Sequence, residues 1–134
     1  MWKQFLEWLE LLEGKEYLVY HYANYEKAHI KTLAERHGSS EAFVTFQQNL
    51  IDLFEIVKKS VIFPLYFYSI KDLATSKFID YKWRHAKAGG AQSIFWYEEW
   101  MESGNRKVLQ DVIDYNEDDV RATERLYDWL LENK

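Results

Sequence analysis

The 134-residue sequence contains no cysteine and a single proline. The absence of cysteine excludes a disulfide framework, a zinc–thiolate site and a thiol nucleophile. The longest uncharged apolar stretch, residues 60–70, includes that proline, Pro64, and is too short to span a bilayer. The opening residues 1–5 also lack the pattern of a signal peptide. We therefore expect a cytoplasmic protein that makes no use of a membrane.

Basic charge is scarce as well. Lysine and arginine number 17 against 22 acidic residues, so the net charge of −5 gives no overall positive field for nucleic acid. The exception is a basic stretch that contains Lys82, Arg84 and Lys87 and reads as a loop over residues 77–92. We predict that these three side chains contact phosphates; the alternative is a solvated loop.

Apolar residues make up 48% of the chain and aromatic residues 18%, which excludes a disordered tail. The length suits one domain with a real core, residues 1–134. Periodicity and turn signals predict an α/β fold rich in helices. The elements predicted for the first half of the chain are a helix from Trp2 to Leu12 ended by Gly14, a strand Tyr17–His21 covered on both faces, a helix between Asn24 and Gly38, a helix Glu41–Asn49 capped by Ser39 or Ser40, a strand ending near Asp52 and a helix to Lys58. The residues predicted to face inward on the helix between Asn24 and Gly38 are Tyr25, Ala28, His29, Ala34 and part of Leu33 or Ile30. The second half is predicted to hold a helix from Ser69 to Ser76, a helix from Ser93 to Glu102, and a last helix from Asn105 to Glu132 that a break near Tyr115 could divide.

The last of these helices carries the most informative stretch. Apolar residues at spacings of three and four place Tyr115, Ala122 and Leu126 on one face, and Asp119 falls on the same face. A carboxylate within a core-facing stripe costs stability unless a cation or several donors meet it. Oxygen ligands of this kind suit Mg²⁺ or Mn²⁺. The pattern also fits a simpler interpretation, in which Tyr115 is an interface residue and the acids form a solvated face.

Other acids receive separate predictions. Glu26 falls in the first turn of a helix just beyond a strand, where α/β folds commonly place their sites, although it would equally complement the helix dipole. Asp52 ends a core strand and is predicted to be structural. Glu117 and Asp118 are predicted to be solvated.

Four segments together resemble a known family: Val-Tyr-His-Tyr-Ala-Asn-Tyr-Glu at 19–26, Leu-Ile-Asp-Leu at 50–53, Tyr-Ser-Ile-Lys-Asp-Leu at 68–73 and Tyr-Asn-Glu-Asp-Asp-Val at 115–120. In this order they are similar to the ribonuclease H-like domain of putative RecB-family nucleases, DEDD-type 3′–5′ exonucleases with a tyrosine in the last motif. The resemblance implies Asp119 and Glu26 as ligands of Mg²⁺ or Mn²⁺, Tyr115 as the residue that orients water, and DNA or RNA as the substrate.

The family's first motif, an Asp-x-Glu on the opening strand, does not occur in the sequence. We therefore expect the C-terminal part of a ribonuclease H-like domain, without the N-terminal three-stranded meander and inactive by itself. The open sheet edge and 24 aromatic residues predict a homodimer, or pairing with the missing half. The alternatives are a non-catalytic nucleic-acid-binding module and a protein-interaction module.

Overall fold

The computed structural model describes residues 1–87 and 89–134. These residues divide into two compact units, residues 1–63 and residues 64–134. Unit 1 contains α1 (Trp2–Glu10), β1 (Val19–His21), α2 (Tyr25–His37), α3 (Glu41–Gln48), β2 (Leu50–Asp52) and α4 (Leu53–Ser60). Unit 2 contains α5 (Ile70–Thr75), α6 (Gly90–Ser103) and α7 (Arg106–Glu132).

The core of unit 1 lies between α1 and α3. Leu9, Phe43 and Phe46 are buried there, and the partly buried apolar face of α1 packs around them. The helix α3 begins where the sequence predicted, because the Ser40 hydroxyl accepts a hydrogen bond of 3.2 Å from the backbone N–H of Phe43. The amphipathic period of α1 was therefore a correct guide to the core of this unit.

The sheet of unit 1 consists of two parallel strands. Val19 pairs with Leu50 and His21 with Asp52. The prediction of a strand covered on both faces is wrong for this sheet. Val19 and Tyr20 are only half-buried, and among the residues of unit 1 that the structure describes, β1 has β2 as its only partner. The strand is also shorter than predicted, because Tyr17 and Leu18 precede the first strand pairing.

The helix α2 has the predicted bounds, but its inward face was predicted correctly only in part. Tyr25 is 71% exposed, and Ala28 and His29 are exposed too. The Tyr25 ring packs instead on the His29 ring of its own helix, with centroids 4.1 Å apart. Ile30 and Ala34, which were among the residues predicted to face inward, do pack against the core of the unit.

Unit 2 is organised around α7, a continuous helix of 27 residues with α5 and α6 packed against it. The break predicted near Tyr115 does not occur. Asn105 caps the helix as predicted, accepting a hydrogen bond of 3.0 Å from the backbone N–H of Lys107. Gly104, which links α6 to α7, adopts a left-handed φ of 65° that suits glycine.

The start of α6 differs from the sequence prediction. The helix begins at Gly90, three residues before the proposed capping residue Ser93. The Ser93 hydroxyl donates to the carbonyl of Gly90 at 2.8 Å, so it lies inside the first turn and does not cap the helix. Within the loop predicted for residues 77–92, residue 88 lies outside the described residues.

None of the helices in the described part of the chain combines the length and apolar composition needed to cross a membrane.

Candidate functional site

The segment of residues 81–85 lies along the acidic part of α7 and meets Asp118, which is 2% exposed. Tyr81 donates its hydroxyl to Oδ1 of Asp118 at 2.8 Å, and the backbone N–H of Arg84 donates to Oδ2 at 2.9 Å. The Arg84 Nε also donates to both oxygens, at 3.3 and 3.2 Å. Asp118 is therefore a buried, fully partnered carboxylate, and the prediction that it is solvated is wrong.

These contacts determine the protonation of Asp118. Burial pushes its pKa upward, but hydrogen bonds from the Arg84 side chain, the Arg84 backbone and Tyr81 outweigh that effect and hold the pKa below its ordinary value. Tyr81 responds in the opposite direction. Its burial and its bond to Asp118 raise the pKa of the phenol to about 12. The pair is thus a neutral phenol donating to a carboxylate anion.

Arg84 connects the segment to two further acids, which precede Asp118 on α7. Its Nη1 lies 3.2 Å from Oδ1 of Asp114, and its Nη2 lies 3.1 Å from Oε2 of Glu117. Hydrogen bonds to Asp118 and Glu117 raise the pKa of the guanidinium further. Glu117, predicted to be solvated, also accepts from Arg121 at 2.7 Å. Phosphate binding by Arg84 stays a prediction, but its contacts with these acids fasten the segment to α7.

Asp119 has different surroundings from its neighbour. It is half-buried, and its Oδ1 accepts one hydrogen bond, of 2.9 Å, from Nε1 of Trp83. Burial raises the pKa of Asp119; the Trp83 bond and the charge of Lys71 counteract this only in part, and the negative charge of Asp118 adds to the rise. The carboxylate charge is therefore incompletely compensated, which is the condition under which a carboxylate gains most from a bound cation.

Tyr115 lies one helical turn before Asp119 and is 8% exposed. Burial, and then the charge of Asp119, raise the pKa of its hydroxyl. Tyr115 is consequently a neutral donor at physiological pH and a poor base. As predicted, the face that holds Tyr115 also holds the buried side chains of Ala122 and Leu126.

The other predicted acids lie in unit 1. Glu26 is exposed in the first turn of α2, close behind the end of β1 in the chain. Asp52 has the structural role that was predicted. Its Oδ1 accepts from the backbone N–H of Ala23 and from that of Phe54, both at 2.9 Å, so it caps α4 and holds the turn after β1. That turn needs support because Ala23 has a φ of 62°.

Sequence reasoning missed a second group of ligand-type side chains in unit 2. His85, Asp111 and Asp114 each place one ligand atom within 4.8 Å of the others. The spacing of the two aspartates by three residues could have indicated a shared helix face, but nothing in the sequence indicated that His85 meets them. Lys82 and Lys87 are exposed on the same segment, and in the described parts of unit 2 neither side chain contacts an acid.

A family model described as the RNase_H superfamily matches residues 1–131. Comparison with curated proteins and with solved structures returned no match. The observed architecture, helix-rich α/β with a small parallel sheet, fits a ribonuclease H-like domain. The match supports a nuclease-like domain, and such nucleases usually use divalent metal ions and bind nucleic acid.

Proposed function

The chain belongs to the RNase_H superfamily, and we propose that it acts in metal-dependent hydrolysis of DNA or RNA phosphodiesters. Within that superfamily we assign it to the RecB-family nucleases of the DEDD type with a tyrosine in the last motif. The motifs that end at Glu26 and at Asp119 support this finer assignment. Phosphodiester cleavage at a 3′ end is the corresponding reaction.

The observation that carries the proposal is the state of Asp119. Its neighbour Asp118 has a guanidinium, a backbone N–H and a phenol as donors, whereas Asp119 has the indole N–H of Trp83. A half-buried carboxylate with a raised pKa, one neutral hydrogen-bond donor and only partial compensation by the charge of Lys71 fits a divalent cation, which would add positive charge. Asp119 is thus the acid of this pair that suits a metal ligand.

The other residues have roles that follow from their chemistry. Mg²⁺ or Mn²⁺ held at Asp119 would supply polarisation of the phosphodiester and a lowered pKa of bound water. The resemblance to the family implies a metal-binding role for Glu26 as well, because it matches the second acidic motif. Tyr115 keeps its proton, and its neutral hydroxyl is suited to orient the attacking water by a hydrogen bond.

Cleavage also requires the first acidic motif of the family. Since the 134 residues hold no Asp-x-Glu, we propose that activity depends on such a motif supplied by additional residues. Without it, the retained activity would be nucleic-acid binding. The exposed Lys82 and Lys87 favour that second function, because neither ammonium group is engaged by an acid in the described parts of unit 2.

The test compares Asp119→Asn with Asp128→Asn, which removes the same charge from an exposed position on the same helix. Calorimetric titration of the chain with Mn²⁺ should show weak binding, on the order of millimolar, because two carboxylates are fewer ligands than a full site offers. Asp119→Asn should abolish it and Asp128→Asn should leave it intact.

A second arm measures cleavage of a labelled oligonucleotide. The chain fused to strands that carry an Asp-x-Glu should cut the oligonucleotide with Mn²⁺, and the Asp119→Asn form of that fusion should not. Unchanged Mn²⁺ binding in Asp119→Asn would remove this carboxylate from the site. Cleavage by the fusion irrespective of Asp119 would contradict the proposed mechanism.

A further inference from the structure

We infer that His85, Asp111 and Asp114 form a Zn²⁺ site that fastens residues 81–85 to α7. This site shares no ligand with the nuclease metal binding proposed at Asp119. It draws on three side chains from two segments of unit 2, an imidazole from the irregular segment and two carboxylates from the helix. The juxtaposition of the histidine with both aspartates is the observation that supports it.

The distances suit a single ion. Nε2 of His85 lies 3.3 Å from Oδ1 of Asp111. Two ligands at about 2.0–2.1 Å from a tetrahedral ion are themselves about 3.3 Å apart, so this pair already has the separation that Zn²⁺ requires. Asp114 follows Asp111 by three residues on α7, and its ligand atom lies within 4.8 Å of both others. A small side-chain rotation would bring it into the same sphere.

Neighbouring side chains orient two of the three ligands. Oδ1 of Asp114 accepts from Nε2 of Gln110 at 2.8 Å and lies 3.2 Å from Nη1 of Arg84. Both contacts engage Oδ1 of the carboxylate. The His85 ring packs edge-on against Trp96, with centroids 4.9 Å apart. Outer contacts of this kind hold metal ligands in place and tune their affinity.

The nearby guanidinium of Arg84 does not exclude a cation. Its charge is already shared among the carboxylates of Asp114, Glu117 and Asp118. With Asp111, these acids number four against the two arginines Arg84 and Arg121, the second of which pairs with Glu117, and the surplus negative charge favours a divalent ion. Arg84 would then act as an outer partner of Asp114.

The ligand types select the ion. An imidazole with two carboxylates favours Zn²⁺ over Mg²⁺, which prefers oxygen ligands and keeps most of its waters. The three side chains are 30%, 26% and 21% exposed for His85, Asp111 and Asp114. An ion can therefore enter from solvent and keep a water in the fourth position.

Binding at this site would stabilise the fold. The ion would join His85 to α7 beside Trp83 and Tyr81, the two side chains that donate to Asp119 and Asp118. An ion that binds the folded chain and not the unfolded one raises the melting temperature, and the stabilisation grows with the logarithm of the ratio of ion concentration to dissociation constant. The readout is thus independent of nuclease activity.

In the experiment, the whole chain is titrated with Zn²⁺ and the heat of binding is measured by calorimetry. A parallel titration with Co²⁺, a coloured substitute for Zn²⁺, follows the visible absorption that a tetrahedral site gives. The variants are His85→Ala, His85→Gln and Asp111→Asn, with Asp128→Asn as the matched control on an exposed part of α7. The wild-type chain and Asp128→Asn should bind one ion and melt at a higher temperature with Zn²⁺. The three site variants should bind at least about tenfold more weakly and lose the shift in melting temperature.

His85→Gln keeps the side-chain size, so it carries the test if His85→Ala does not fold. Equal affinity in a folded His85 variant and the wild type would overturn the assignment, as would the absence of saturable Zn²⁺ binding. Asp119→Asn separates this site from the nuclease proposal. It should retain Zn²⁺ binding at His85 while it loses the weak Mn²⁺ binding.

Discussion

Asp118 and Asp119 are consecutive residues of α7, but they have opposite electrostatic surroundings. Asp118 is buried against the segment of residues 81–85 and receives a guanidinium, a backbone N–H and a phenol. Asp119 is half-buried and receives the indole N–H of Trp83. The pKa of Asp118 is held below its ordinary value, despite burial, and the pKa of Asp119 is raised by burial.

The difference shows that burial alone does not decide the charge state of a carboxylate. Asp118 is the more buried of the two, but its donors make ionisation favourable. Asp119 is less buried and has too few donors to offset its desolvation. The first arrangement suits a structural anchor, and the second suits a ligand that awaits a cation.

The largest effect should follow from Asp118→Asn. The variant keeps the shape of the side chain but removes the charge that faces Arg84 and replaces one acceptor oxygen with an amide. We expect a decrease of about 2 kcal/mol in the free energy of unfolding, less than for a wholly buried pair because the Arg84 side chain is 45% exposed. Urea denaturation measures this change in the free energy of unfolding, and Asp128→Asn is the control. Equal stability of the two variants would contradict an anchoring role for Asp118.

That decrease should depend on pH. Because the folded pKa of Asp118 lies below its ordinary value of 3.8, its stabilisation is complete above that value and disappears as the pH falls through the folded pKa. The stability curves of the wild type and Asp118→Asn should therefore converge in strong acid.

A smaller effect of opposite sign should follow from Asp119→Asn. The folded pKa of Asp119 is raised, so its charged form destabilises the fold at neutral pH. Replacing it with asparagine, whose oxygen can still accept from Trp83, should increase the free energy of unfolding by less than about 1 kcal/mol. The gain should vanish as the pH falls below 3.8, where the carboxyl is protonated in both states. Urea denaturation across this pH range measures the gain in the free energy of unfolding. A variant less stable than the wild type at pH 7 would show that the negative charge of Asp119 is fully compensated in the folded chain.

The smallest effect on stability should come from the lysines of the same segment. Lys82→Ala with Lys87→Ala should leave the free energy of unfolding unchanged, because both side chains are exposed. If these lysines bind phosphates, their replacement should weaken single-stranded DNA binding. In a plot of the logarithm of affinity against the logarithm of salt concentration, the negative slope should then become less steep by about 0.7 for each phosphate that the variant no longer neutralises.

Fluorescence anisotropy at several salt concentrations measures this binding. The matched control is Lys107→Ala with Lys134→Ala, which removes two exposed lysines from elsewhere in unit 2. An equal decrease in affinity in both double variants would indicate a general charge effect and no specific phosphate binding by the segment.

Local signals in the sequence predicted several elements correctly. Ser40, Ser69 and Asn105 accept from backbone N–H groups at the starts of α3, α5 and α7. Asp52 ends β2 as predicted. In such a cap, the side chain that accepts the hydrogen bond and the backbone N–H that donates it are only two or three residues apart. The local sequence is therefore enough to predict where the helix begins. The inward face of α2 was predicted correctly for Ile30 and Ala34 and wrongly for Tyr25, Ala28 and His29. The helix has few apolar residues, and which of them reach a core depends on the elements packed beside it.

The sequence by itself determined the face of α7 that holds Tyr115 and Asp119, because helical spacing fixes which side chains share a face. Only the tertiary structure decided that Asp118 is buried and that Asp119 is the undercompensated acid. The partners responsible, Arg84 and Trp83, are 34 and 36 residues away in the chain. A hydrogen bond forms where folding brings donor and acceptor within about 3 Å, and no local periodicity encodes that approach.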